Sequence, residues 1–362
     1  MPTAQCAVAD RETALLATLD GVVDTSLIET PNTPQANAFD WLLMTDTGTD
    51  PCDSLQVVQR YALAVFYEST NGDDWVVNDG WLSESRVCDW FEVGCLADGL
   101  TVYQIDLFDN NLSGTLPTEL GALSTMLGFN VFLNSLTGTV PNYFSTWPSL
   151  VLFDVENNTL TGDPLLWLGN EINSNDDEDY LVPDLRFYRT SFNQFQGSIT
   201  PAALRQLSGV EHLWIAGNQY SGELPSDLGQ LTLLSKFCFV SPLMRKNSSP
   251  THVFFSSSEQ LFLYDNLFIG ALPDVFDKLD LVRMQIQNNK FSGTLPPTLY
   301  SNSNLEELRV DHNDFEGTLS GSIGDLESLR DLRLSSNRLS GSIPTNFAAL
   351  TDLGKSRESL IY

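Results

Sequence analysis

The 362 residues carry 47 acidic and 18 basic side chains, a formal net charge of −29. A surface of that sign repels phosphate backbones and anionic lipid faces, which argues against nucleic-acid binding and against attachment to a membrane except through a segment outside this chain. Hydrophobic residues make up 42%, enough for a packed core, but no run of about 18 apolar residues is available to span a bilayer. The first residues, MPTAQCAVADRETALL, have neither a basic n-region nor a long apolar h-region, so no secretory signal is read there.

Residues 1–50 are read as an N-terminal extension with short helices, partly disordered. One helix is expected over Asp10–Leu19, stopped by Gly21, and a second over Pro34–Leu43 with Thr33 as N-cap. A cap region is expected over residues 51–101. It starts with a helix over Ser54–Ser69, where Asp53 and Gln56 fit a capping box and Asn71-Gly72 ends the helix. Leu55, Val58, Ala62, Val65 and Phe66 recur at helical spacing. The stretch from Trp75 to Cys95 then brings aromatic rings and two cysteines, Cys88 and Cys95, just ahead of a repetitive region. Rings covering the end of a core, stapled by a Cys88–Cys95 disulfide, make a cap. Two cysteines alone are too few to hold a metal, and no metal site is expected. Five cysteines allow at most two disulfides, and Cys6, Cys52 and Cys238 have no evident partners.

From Val102 to Leu353 one pattern repeats, as in IDLFDNNLSGTLP, Ile105 to Pro117. Its asparagine recurs at Asn110, Asn134, Asn158, Asn193, Asn218, Asn266, Asn289, Asn313 and Asn337, at spacings of 23 to 25 residues except for one of 35 and one of 48. Apolar residues five and three before it (Ile105/Leu107, Leu213/Ile215, Leu308/Val310, Leu332/Leu334) alternate as a short half-buried strand does. Strands stacked one per turn form a parallel sheet with rungs about 4.8 Å apart. The asparagines turn inward and bond backbone groups that the turn leaves unpaired. A glycine four residues later, as at Gly114 and Gly317, suits a tight approach, and prolines such as Pro117 and Pro296 follow where no ladder donor is needed.

This pattern resembles the plant-type leucine-rich repeat, LxxLxLxxNxLxGxIPxxLxxL, and RDLRLSSNRLSGSIPTNFAAL, Arg330 to Leu350, matches it nearly throughout. Cys88-Asp-Trp90-Phe-Glu-Val93-Gly94-Cys95 resembles the N-terminal cap motif of such extracellular repeats, with Glu92 in place of the inner glycine, and ALAVFYESTNGDDW, Ala62 to Trp75, looks most like repeat proteins of diatom-like algae. The resemblance implies an α/β solenoid, a right-handed superhelix with a parallel concave sheet and a small helical cap. It also implies a receptor-like ectodomain, extracellular or at the cell surface, with a soluble inhibitor of a secreted enzyme (polygalacturonase-inhibitor-like) and a structural or adhesive protein as alternatives. Sequons at Asn111, Asn157 and Asn247 agree with secretion.

Two stretches break the period. An acidic loop is expected at about 170–180, and residues 235–258 read either as a looped-out insertion or as a degenerate repeat. After Leu353 no capping segment follows, so residues 354–362 are expected to be a truncated tail.

The residues four and two before each ladder asparagine point to solvent by the same alternation that buries the leucines. On this face Phe108, Phe132, Arg189, Trp214, Phe262, Tyr264 and Arg309 are the candidate ligand-binding residues, for a protein, peptide or glycan. Trp214, Phe262 and Tyr264 form one aromatic patch if the 48-residue gap leaves their rungs adjacent, and Arg309, Arg333 and Asp311 either meet an acidic ligand group or pair among themselves. His212, His252 and His312 lie far apart in sequence, and no triad spacing, phosphate-cradling loop or cofactor motif is read, so neither catalysis nor a cofactor is expected.

Overall fold

The structure is a computed structural model that describes residues 10–169, 182–235 and 260–354. The expected loop at 170–180, residues 236–258 of the second irregular stretch, Cys6, Cys238, Asn247, His252 and the tail beyond Gly354 lie outside the described residues. The chain forms an α/β solenoid in two compact units, residues up to Thr161 and residues from Gly162.

The first unit opens with three helices, α1 (Arg11–Leu19), α2 (Pro34–Met44) and α3 (Ser54–Ser69). Asp10, Thr33 and Asp53 cap them by accepting from the N–H groups of Thr13, Ala36 and Gln56. The capping box at α3 is half made. The Asp53 N–H bonds Asp50 O, and Gln56 Nε2 has no partner. Asn71, at φ 54°, ends α3 in the left-handed conformation that glycine usually supplies.

The boundary expected at residue 50 falls inside one core. Leu15 and Leu19 of α1, Phe39 and Leu42 of α2, and Val57, Tyr61 and Val65 of α3 pack together. Buried at its edge, Arg60 binds Asp46 through two hydrogen bonds, at 2.5 and 2.8 Å, and donates to the carbonyls of Ser83 and Ser85. Its guanidinium carbon lies 5.3 Å from the ring centres of both Trp41 and Trp90. One side chain thus ties α3 to the loop after α2 and to the aromatic cap. Cys88 and Cys95 are disulfide-bonded. Cys52, whose partner is not evident from the sequence, is also disulfide-bonded. Glu92 stands at φ 59°, which explains why the cap motif it departs from carries glycine there.

Strand Val93–Cys95 pairs antiparallel with Val102–Asp106, which continues in parallel to Gly128–Asn130 and Leu152–Asp154. In the second unit six parallel strands follow in register, bringing Tyr188, Leu213, Leu261, Met284, Leu308 and Leu332 into one buried column. Strand His212–Trp214 is bonded directly to Gln260–Phe262, so the 48-residue spacing amounts to one step of the sheet. Leu107 and Leu213 are buried as expected, whereas Leu334, on the last described rung, is half-buried.

The asparagines sew each turn to the one before. Asn289 Oδ1 accepts from Phe268 N–H of the preceding turn, and its Nδ2 donates to Ile286 O and Gln287 O of its own turn and to Leu263 O of the preceding one. Asn134, Asn218, Asn266, Asn313 and Asn337 repeat the arrangement. Asn110 applies it to the cap, binding both the N–H and the carbonyl of Val77. The residue before each ladder asparagine is left-handed in every turn: Asp109, Leu133, Asn157, Phe192, Gly217, Asp265, Asn288, His312 and Ser336. Asp, Asn and Gly enter that region at little cost; Leu133 and Phe192 do not. Gly317 is needed on two grounds. Its φ is 83°, and a Cβ there would sit 2.9 Å from the Thr294 methyl of the preceding turn. Pro117, Pro225, Pro296 and Pro344 each lead into a 3₁₀ turn.

Candidate functional site

On the inner strand face of the second unit, three adjacent strands present a run of rings. Trp214 and Phe262 lie opposite each other in the ladder and stack, with centres 5.7 Å apart and planes at 26°. Arg189, opposite Trp214 on the other side, places its guanidinium 4.4 Å from the Trp214 ring centre. Both faces of Trp214 are therefore occupied, and what it offers outward is its edge. Tyr264 meets Phe262 edge-on at 6.1 Å and Phe192 edge-on at the same distance. His212 extends the run towards Phe187, with centres 5.0 Å apart.

Phe192 is the residue that sequence reasoning missed. It is 43% exposed and holds the strained left-handed conformation. Its ring covers Gly217, where a Cβ would approach Phe192 Cδ1 to 2.5 Å. The signal was present in the repeat. At the position before the ladder asparagine, a bulky aromatic is followed one turn later by glycine.

Burial pushes the His212 imidazole down to about 4, with Arg189 adding to the effect, so the ring is neutral in the physiological range. The folded chain takes the proton less readily than the unfolded one, whose histidine titrates near 6.5. Stability from this site is thus complete above that value and is lost as pH falls towards 4. Comparing denaturant melts of wild type and His212→Phe at pH 7 and pH 4 is expected to show the wild type losing about 2–3 kcal/mol relative to the variant. A difference that stays constant with pH contradicts this account.

Further along the same face the charges pair among themselves. Arg309 bonds Glu307 and Asp331, Arg333 shares Asp331, and Arg283 lies 3.8 Å from Glu307. Desolvation raises the Glu307 carboxyl above its ordinary value despite Arg309. Arg309 is therefore a member of an ion-pair network, and its donors go to acids of its own chain.

In the first unit Phe108 and Phe132 are half-buried on neighbouring turns, where Asp109 N–H bonds Phe132 O. The expectation that the residues four and two before each ladder asparagine are solvent-facing needs correction. Asp106, Asp154 and Glu156 are at most 8% exposed, as are Ser191 and Ala216 in the second unit. Rungs this close let neighbours shade a short side chain, and Asp106 is further held by the Asn130 amide at 2.8 Å. Of the sequons, Asn111 is exposed and donates to Asp74 O, whereas Asn157 is half-buried. Among the described residues no group of His, Cys, Asp and Glu is placed to hold a metal, and no helix is long and apolar enough to cross a membrane.

A Leucine Rich Repeat family model matches residues 304–326 and 328–350. The inner ladder repeats the same geometry through both units. The chain carries leucine-rich repeats of the plant type. Among solved structures it is similar to the plant peptide hormone receptor RGFR1 in complex with RGF2, at 27% identity and a TM-score of 0.57 over 69% of this chain and 35% of that one. Two further likenesses speak to the leucine-rich-repeat fold alone. The ectodomain of the membrane receptor kinase GASSHO1/SCHENGEN3 from Arabidopsis thaliana, in complex with CASPARIAN STRIP INTEGRITY FACTOR 2, is 24% identical with a TM-score of 0.61, over 75% of this chain and 28% of that one. A plant ice-binding protein is 21% identical with a TM-score of 0.58, over 78% and 87%. The chain thus spans about a third of the length of the two receptor structures. A search of curated proteins finds no match.

Proposed function

We propose that this chain is a non-catalytic recognition module that binds a protein or peptide ligand on its inner strand face, as a receptor-like ectodomain at the cell surface. The observation that carries this reading is the run of Arg189, Trp214, Phe262, Tyr264 and Phe192 across three adjacent strands. Rings held in register on a hydrogen-bonded ladder contact a partner with little loss of conformational freedom, which is how recognition anchors work. The likeness to a plant peptide hormone receptor supports the same reading, and the Cys88–Cys95 disulfide fits an oxidising compartment.

Random dodecapeptides displayed on phage and selected on the immobilised chain provide the test. Selected peptides are expected to bind Trp214→Ala/Tyr264→Ala at least tenfold more weakly, with melting lowered by no more than about 5 °C. Binding that survives the double substitution at full strength rules out this face.

A further inference from the structure

We infer that the ligand of this face carries a cationic side chain, the head of a lysine or arginine in a peptide, seated at Gln287 and Asp311 beside the Tyr264 ring; the inference rests on the recognition reading proposed above. Tyr264, Gln287 and Asp311 occupy the same position, two before the ladder asparagine, on three successive turns. Their backbones are adjacent: Asp265 N–H bonds Gln287 O and Asn288 N–H bonds Asp311 O, each at 3.1 Å. Their side chains therefore follow one another at about 4.8 Å along the face.

Two of the three present an acceptor without a donor. Gln287 Oε1 and Asp311 Oδ1 are both shielded from solvent, and neither has a hydrogen-bond partner. The Asp311 side chain is only 14% exposed, and its other oxygen is held by His312 Nδ1 at 2.9 Å. Buried acceptors are nearly always satisfied in folded proteins, so two on adjacent turns of one face mark a place that a donor completes.

The donors of the nearby arginines are directed elsewhere. Arg283 and Arg309 face Glu307, and Arg309 and Arg333 converge on Asp331. Arg333 feels the charge of Asp311 but does not bond Oδ1.

Charge selects among possible donors. A carboxylate beside an amide oxygen favours a guanidinium or ammonium, which brings several N–H groups and a charge to match. The Tyr264 ring one turn away, with Phe192 behind it, adds the negative face of an aromatic system. Exposed Asp265 supplies a second carboxylate nearby, and the net charge of −29 draws cations towards the chain from a distance. An anionic group would meet Asp265, Asp311 and the orphan oxygens together.

The dodecapeptide selection described above supplies the probes. Selected peptides are expected to carry lysine or arginine. Replacing that arginine by citrulline, or that lysine by norleucine, is expected to weaken binding at 0.15 M salt at least tenfold. Asp311→Asn with Gln287→Leu is expected to weaken the cationic peptides by the same factor and to leave their neutral counterparts unchanged, with melting near wild type. General attraction to an acidic chain is insensitive to Asp311, so affinity for basic peptides that Asp311→Asn does not reduce overturns the inference. Selected peptides that are neutral or acidic, or oligosaccharides bound through Tyr264 in place of peptides, also overturn it. In those cases a loss of binding in Trp214→Ala/Tyr264→Ala keeps the strand-face reading, and binding indifferent to that double substitution removes both.

Discussion

Asp46→Ala is expected to destabilise the first unit by about 3–5 kcal/mol, because it leaves the Arg60 guanidinium buried without its counter-charge. The side chains of Arg60 and Asp46 are 3% and 2% exposed, so water cannot take over the lost bonds without opening the core. The remaining contacts of Arg60, the carbonyls of Ser83 and Ser85 and the rings of Trp41 and Trp90, stabilise the charge only in part. Urea unfolding followed by tryptophan fluorescence reads this locally, since Trp41 and Trp90 contact the Arg60 guanidinium that loses its partner. The double variant Asp46→Leu/Arg60→Met is expected to recover much of the loss, because no lone charge remains in the core. A single-variant cost below about 1 kcal/mol would mean that the pair is solvated in the native chain.

Asn289→Ala is expected to cost on the order of 3 kcal/mol, a large effect for a side chain that touches no ligand. It leaves the N–H of Phe268 and three carbonyls, those of Leu263, Ile286 and Gln287, without their shared partner inside the turn. Repeat arrays are stabilised by nearest-neighbour interfaces, so the loss should appear as local opening between these two turns. Hydrogen exchange at the Phe268 amide should speed up more than exchange in the first unit. The control is Asn304→Ala, an exposed asparagine bonded to Asp280, expected to stay within about 0.5 kcal/mol of wild type. Equal effects at the two positions would remove the ladder as a source of stability.

What could be read from the sequence was whatever recurs. The nine asparagines, the buried apolar columns and the glycine of each turn announce themselves by period, and the structure places those it describes where the period puts them. Single events left no such trace. The Asp46–Arg60 pair joins two residues with no repeating relation. Asn302 performs the ladder's task once, at another corner, accepting from Leu281 N–H and donating to Phe276 O and Leu299 O. The candidate site was half legible. Alternation brought Trp214, Phe262 and Tyr264 to one face, but could not show that Arg189 covers the second face of Trp214. Nor could it show that Arg309 is engaged with its neighbours, or that Asp106 and Asp154 are shaded from water. Phe192 was overlooked because the position before the asparagine was treated as turn, although its backbone conformation is as regular as the ladder itself.

The glycine in each turn has a bearing on engineering. The space that a side chain at Gly317 would need is filled by the Thr294 methyl, and the space at Gly341 by the Thr318 methyl, each belonging to the turn before. Turns are therefore keyed to their predecessors like adjoining tiles. A shuffled array that set Gly317 behind a bulkier neighbour, or a turn lacking that glycine behind Thr318, would fit badly even with every leucine kept. Excising or duplicating a segment of this chain is best done with the donor of the methyl and its recipient moved as a pair.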